Sequence, residues 1–392
     1  MSNYSVKLQI IFVLSFVAIP FLFLSAQAES EKSAEVFNHG LDYIFEHHST
    51  LNGTNKTKNI NFGNLLVSGN WDFDKIMPYQ GWGLEGSIMA THGRSLSNKL
   101  GDIQTASNID VSGINSFKVY QLILSYQFYP NHSLLAGLID LSTWFNINQS
   151  ALLFINSSAG TSAELGSSGL LGPSIYPYPS AGLFLNSKFE NSVYVMAALM
   201  DQNAGNPSNP KLTKTQMKLT PKHYFGLTEI GLDNENRKLA LGFWKYGEKF
   251  NDLSDTQINS AAPIQRTAQG GYVLFNYKFG RLDPFIRYGR TGRDIQNIYA
   301  NLVLGFNYFS PLKREDDIFG VMVSRAYLSD KYKATNIATI RHDEVAYEAI
   351  YKIGLNKQYS FFPSFQYITH PSGRNDRKAI QLASMRFAMH LE

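Results

Sequence analysis

Side chains alternate in character along much of this chain. In Glu344–Leu355, Val345, Tyr347, Ala349, Tyr351, Ile353 and Leu355 share one face, while Glu344, Glu348 and Lys352 share the other. Lys118–Phe128 sets Tyr120, Leu122, Leu124, Tyr126 and Phe128 against Gln121, Ser125 and Gln127. Val67–Phe73 sets Val67, Trp71 and Phe73 against Ser68, Asn70 and Asp72. Tyr272–Phe279 opposes Val273, Phe275, Tyr277 and Phe279 to Asn276 and Lys278. A period of two predicts strands with two unlike faces. About sixteen such runs of roughly ten residues follow one another, the length a tilted strand needs to cross a bilayer. They begin with Val36–Thr50 and Lys58–Asp74 and end with Ser360–Ile368 and Ala379–Leu391. Two runs, Leu134–Leu141 and Arg237–Gly247, show no single apolar face, and the pattern does not orient them.

The connections alternate short and long. Pro130-Asn131, Asn191, Asn234-Glu235-Asn236, Arg281-Leu282 and Asn356–Tyr359 are short and rich in turn formers. Ser95–Asn115, Gln202–Lys222, Glu248–Thr267 and Tyr327–His342 are long. Short turns at one end opposite long loops at the other are the pattern of a transmembrane barrel. The longest connection follows the run LLAGLIDLSTWF and reaches Gly182. Roughly forty residues without periodicity inside a compact fold read as a functional loop. This one carries Trp144, Phe145, Leu152, Leu153, Phe154, Ile155, Tyr176 and Tyr178, which a solvated loop does not need. The expectation is that it folds into a hollow interior and lines it.

Composition agrees. The chain has 22 Tyr and 27 Phe and no Cys, so oxidative staples play no part. Lys7, the apolar run Ile10–Leu24 and Ala26-Gln27-Ala28 form a secretory leader. Residues 1–28 are therefore expected to be a signal peptide, and 29–392 the mature barrel. Loss of Lys7 lowers the formal charge from +4 by one, a near balance that gives no reason to expect nucleic acid. The fold class is thus all-β: a transmembrane antiparallel β-barrel of about sixteen strands with a long loop folded into the lumen. The aromatic and aliphatic face meets lipid. A Lys or Arg there costs about 2–4 kcal/mol at the midplane, so Lys278, Arg287 and Lys352 are expected to point into a water-filled lumen.

The landmarks include Gly101-Asp102, Ser107–Asp110, LLAGLIDLSTWF, Phe154–Ser157 and Tyr176-Pro177 with Ser180–Gly182. Thr228–Gly231, Asp283–Gly289, Asp316-Asp317 with Gly320, Ala346–Glu348 and Pro363–Ile368 ahead of Pro371 complete them. In this order and spacing the chain resembles the carbohydrate-selective porins of the OprB family, over nearly all of its mature length. The resemblance implies a sixteen-stranded outer-membrane porin of a Gram-negative bacterium that passes sugars by diffusion. Two positions depart from the family pattern. The chain ends His390-Leu391-Glu392 where outer-membrane barrels commonly end on an aromatic residue, and Asn276 stands where an acidic residue is expected.

Sugar binding in a channel needs aromatic faces for the ring and charged or amide groups for the hydroxyls. Trp144 and Phe145 are the stacking candidates; the alternative is that they pack the loop against the wall. Asp140 and Asn156 flank the same loop, as hydroxyl partners or as caps of their own turns. Asp72, Glu229, Arg287 and Glu348 are expected to face the lumen as a polar ladder, or else to form an internally paired wall. No metal-ligand spacing, phosphate-cradling loop or Ser–His pair is present, so neither cofactor nor enzyme activity is expected. Sugars, outer-membrane lipid and the barrel-assembly machinery are the expected partners, with the protein a monomer or a homo-oligomer. A nonspecific or differently selective porin is the alternative function; a barrel enzyme or adhesin is a more distant one.

Overall fold

The computed structural model describes residues 36–392 except 54–58, 77–79, 207, 215, 255–263 and 336–337. The expected leader, residues 1–28, lies outside the described residues. Sixteen strands follow in order. They are β1 Phe37–Asn52, β2 Asn59–Asp72, β3 Trp82–Gly93, β4 Ser116–Tyr129, β5 His132–Ile139, β6 Ser180–Lys188, β7 Val193–Met200 and β8 Phe225–Asn234. The second half comprises β9 Arg237–Asn251, β10 Gln265–Tyr277, β11 Leu282–Thr291, β12 Ile298–Phe309, β13 Ile318–Leu328, β14 Glu344–Gly354, β15 Tyr359–Thr369 and β16 Ile380–Leu391. Each pairs with its sequence neighbours, and β16 returns to β1 to close the barrel.

All the pairings are antiparallel, and closure leaves no edge unpaired among the described strands, which a bilayer demands. At the seam Leu41 opposes Leu391, and Glu46 opposes Arg386. The C-terminal departure from the aromatic pattern therefore keeps an apolar pair in the closing ladder, with Glu392 beyond the last strand.

The outer wall is the greasy face the alternation predicts. Leu239, Leu241, Phe243, Phe275, Ile286, Leu304 and Phe306 are exposed along β9–β12, and Tyr347, Phe365 and Tyr367 along β14–β15. One residue breaks the parity. Tyr120, expected on the lipid face, is buried inside. The β3–β4 register slips there: Ile88 opposes Val119 and Ser87 opposes Gln121, leaving Tyr120 as an extra residue. A bulge of this kind re-aims a side chain and ends simple alternation.

The interior departs further from expectation. Under β5–β10 the inward face is not polar and wet but an apolar core. Phe184, Met196, Met200, Phe225, Leu227, Trp244, Tyr246 and Leu274 are buried there together with Leu141, Phe145 and Leu165 of the loop. That explains why Arg237–Gly247 could not be oriented by pattern: Ala240, Trp244 and Tyr246 point inward while Leu239, Leu241 and Phe243 point outward, so both faces are apolar.

Candidate functional site

The connection from Asp140 to Pro179 enters the barrel and lies against the inner wall. Its start is fixed by Asp140. One carboxylate oxygen of Asp140 accepts from the Ser142 N–H at 2.8 Å and the Ser142 hydroxyl at 2.7 Å, and the other accepts from the Tyr120 hydroxyl. The bulged tyrosine is thus turned inward onto this carboxylate. Burial pushes the Asp140 pKa up, against the pull of its Ser142 and Tyr120 hydrogen bonds. Trp144 and Phe145 follow, with ring centroids 4.9 and 5.3 Å from Phe184 of β6.

Asn146 is the next fixed point, in the left-handed region at φ 61°, which Asn tolerates better than most residues. Its N–H donates to Glu229 at 2.8 Å, its carbonyl accepts from Arg287 at 3.0 Å, and its side-chain oxygen accepts from the Ser162 N–H at 2.8 Å. Glu229, on β8, also accepts from Tyr194 at 2.6 Å and Tyr272 at 2.5 Å. Arg287, on β11, donates to the carbonyls of Gly160, at 2.5 Å, and Ser158 as well. Farther along, Glu348 of β14 accepts from the Ile155 and Asn156 N–H groups at 2.9 and 3.0 Å and from Ser364 at 2.8 Å. Asn156 caps the short helix Ser157–Gly160 and donates to Gln366 at 3.2 Å. The loop is therefore tied to several strands by buried charged groups whose bonding capacity its backbone uses. In a dry interior such bonds are strong when complete and costly when broken.

A second of the long connections, Ser95–Asn115, also enters the bore. Residues 95–115 sit over the inner faces of β1, β2 and β14–β16, where Leu96, Leu100 and Ile109 pack with Ile60, Phe62, Ile368 and Leu382. The two loops are bonded together. Asn108 N–H donates to the Ile155 carbonyl at 2.8 Å, and Ser157 N–H to the Thr105 carbonyl at 3.0 Å. The signal for the loop contacts was glycine inside strands. A Cβ on Gly320 would come within 2.6 Å of Leu153, and one on Gly289 would collide with the Glu164 carboxylate.

The eight candidate residues thus divide. Asp140, Phe145, Asn156, Glu229, Arg287 and Glu348 are all at most 2 % exposed. The expectation that they line open water is corrected: the loop covers Glu229, Arg287 and Glu348 and uses their polar atoms as anchors, Asp140 and Asn156 cap turns of the loop itself, and Phe145 packs it against Phe184. Asp72 and Trp144 remain on open space. With Asn70, Glu85, Ser125 and Gln127 they line one cavity of about 430 Å³ beside β2–β5. Asp72 also accepts from the Asp74 N–H at 3.1 Å, capping the turn after β2.

Glu164, which the sequence reading did not single out, is fully buried in the loop, where Ser162 donates to one of its oxygens at 2.7 Å. Burial pushes its pKa up to about 7, against the attraction of Arg287. The folded protein therefore holds this proton where the unfolded chain has lost it. Stability is expected to fall as pH rises from the ordinary glutamate range, near 4.5, to about 7. Glu164→Gln should raise the melting temperature at pH 8 by about 2 °C or more and by much less at pH 5, where only the first part of that loss has accrued. Thermal melts in detergent at the two pH values check this.

A closed sixteen-strand barrel with an apolar outer band and loops inside it defines a porin, an outer-membrane protein of Gram-negative bacteria. The family model "Carbohydrate-selective porin, OprB family" matches residues 56–391, and the chain belongs to that family. Pseudomonas putida OprB in its high-pH structure is similar at TM-score 0.79 with 16% identity, over 91% of this chain and 94% of that one. A mutant porin of Rh. blastica is similar in fold at TM-score 0.56 with 10% identity, over 91% of this chain and 100% of that one. Porin AaxA of Chlamydia pneumoniae is 25% identical over 229 residues, 55% of this chain and 47% of that protein. The match thus spans about half the length of that curated relative.

Proposed function

We propose that this protein is a passive outer-membrane channel for carbohydrates, exported by its leader at residues 1–28, in which loop 142–180 narrows the bore with help from residues 95–115. The observation that carries the reading is the loop itself, held across the interior by Glu229, Arg287 and Glu348 in a chain of this family. Trp144 and Asp72 meet at the cavity that remains beside it. The indole offers a face to the C–H side of a sugar ring, and Asp72 and Glu85 offer acceptors to hydroxyls. Binding here has to recruit sugar and still release it, so each contact is weak. The protein does no covalent chemistry. Outer-membrane lipid surrounds it, the barrel-assembly machinery inserts it, and it works as a monomer or a homo-oligomer.

The test is single-channel conductance and liposome swelling with glucose and maltooligosaccharides. The expected result is reversible block of ion current by sugar, and swelling faster than for amino acids of equal size. Trp144→Ala should weaken sugar block about fivefold or more, as losing a stacking partner worth about 1 kcal/mol predicts, while ion conductance changes less. Equal loss of both would make Trp144 a packing residue. Swelling that tracks size alone would make the protein a nonspecific porin.

A further inference from the structure

A second cavity, of about 450 Å³, lies across the barrel from the first, between the stretch Gln149–Leu153 of the loop and the strand ends of β8–β15. It opens toward the short turns, since Asn234, Glu235 and Lys278 at its rim belong to the β8–β9 and β10–β11 turn regions. Its chemistry differs from that of the first cavity, whose charged lining residues, among those described, are Asp72, Asp74 and Glu85. Here Lys278 and Lys352 reach the same space, with Phe309 and Phe362 beside them.

The other charges in the cavity are already committed or sit at its edge. Lys238 faces Asp233 at 3.6 Å. Asp283 is buried and accepts from Ser150 at 2.6 Å and from Asn276 at 3.4 Å. Glu235 and Arg237 are exposed on the same turn and offset each other. Lys278 and Lys352 have no carboxylate partner among the described residues; the Lys278 ammonium lies 4.6 Å over the Phe309 ring. Lys278 and Lys352, with no ion pair of their own among the described residues, leave the lining one cation in excess of its carboxylates, Asp283 included, and beside the Phe309 and Phe362 rings they make a site for a ligand that is flat on one side and anionic at one end.

We propose that this cavity is a binding subsite for acidic sugars, with Lys278 and Lys352 taking the carboxylate and Phe309 or Phe362 the pyranose face. The inference rests on the reading of the protein as a carbohydrate channel and narrows its substrate class. Because glucose and glucuronate share a ring and differ in the carboxylate, the pair isolates the contribution of the two lysines.

The experiment measures block of single-channel current and liposome swelling by glucose and by glucuronate, for the native chain and for Lys278→Gln/Lys352→Gln. The native channel should bind glucuronate more tightly than glucose. The double variant should weaken glucuronate block about tenfold while glucose block and heat-resistant barrel mobility in gels stay unchanged. Repeating the measurement in high salt should reduce the glucuronate preference of the native channel, as screening requires. If glucose passes and blocks but glucuronate shows no preference, or if the variant loses both sugars equally while remaining folded, the subsite is overturned. If neither sugar blocks or permeates, the carbohydrate-channel reading fails instead, and the two failures are distinguished by the glucose arm.

Discussion

Arg287→Ala is expected to open the channel. The guanidinium donates to three loop carbonyls, those of Asn146, Ser158 and Gly160, from the middle of β11. Alanine leaves those oxygens without a donor in a buried place. At about 1 kcal/mol or more for each orphaned acceptor, the loop loses roughly 3 kcal/mol of attachment or more. The outer ladder does not depend on this side chain, so the barrel should still form. Single-channel conductance should rise about twofold or more, with frequent steps between levels as the loop leaves and returns. Sugar block should fall in parallel. Arg287→Lys should recover little, because one ammonium cannot reproduce the planar fork that reaches three carbonyls. A quiet channel of native conductance in Arg287→Ala would show that the remaining anchors suffice.

Glu348→Leu attacks the loop from the β14 side of the barrel, at residues 155–156, and should have the next largest effect. Leucine removes the acceptor for two consecutive N–H groups, at Ile155 and Asn156, and for the Ser364 hydroxyl. Two backbone donors left buried cost about 2–6 kcal/mol together. Ile155 accepts from Asn108, and Ser157 donates to Thr105, so displacement at this point also disturbs the second inward loop. The expected outcome is protease cleavage within residues 146–165 and within 95–115, in protein whose barrel still resists heat in detergent. Glu348→Gln keeps one acceptor oxygen and should show a smaller effect in the same assay. Cleavage confined to residues 146–165 would mean that the two loops are seated independently.

The barrel was legible because one physical rule governs it. Residues on a lipid-facing wall must be apolar at every second position, and β10 and β14 keep to that rule. Where a second burial was superimposed, the rule gave less. On β9 the inward residues are Ala240, Trp244 and Tyr246, since the loop rather than water covers them. On β4 the bulge moved Tyr120 across the sheet, and no local residue type announces such a slip. The candidate site was legible in a similar, partial way. Glu229, Arg287 and Glu348 stand out because a charge on an inward face needs a reason. Sequence spacing cannot say whether that reason is a solute or a stretch of the same chain. Here the partner lies 83, 127 to 141, or 192 to 193 residues away, and only the folded geometry brings it near. Trp144 and Asp72, more than 70 positions apart in the chain, share a cavity for the same reason.

The seam between first and last strands joins a cross-strand pair to the interior. Arg386 of β16 holds Glu46 of β1 at 2.6 Å and also bonds Asn108 of the shorter inward connection. Zipping the ends of the chain together and seating the plug thus share a single side chain. A cylinder parted between β1 and β16 would lose that clasp, so the seating of residues 95–115 depends on the barrel being closed.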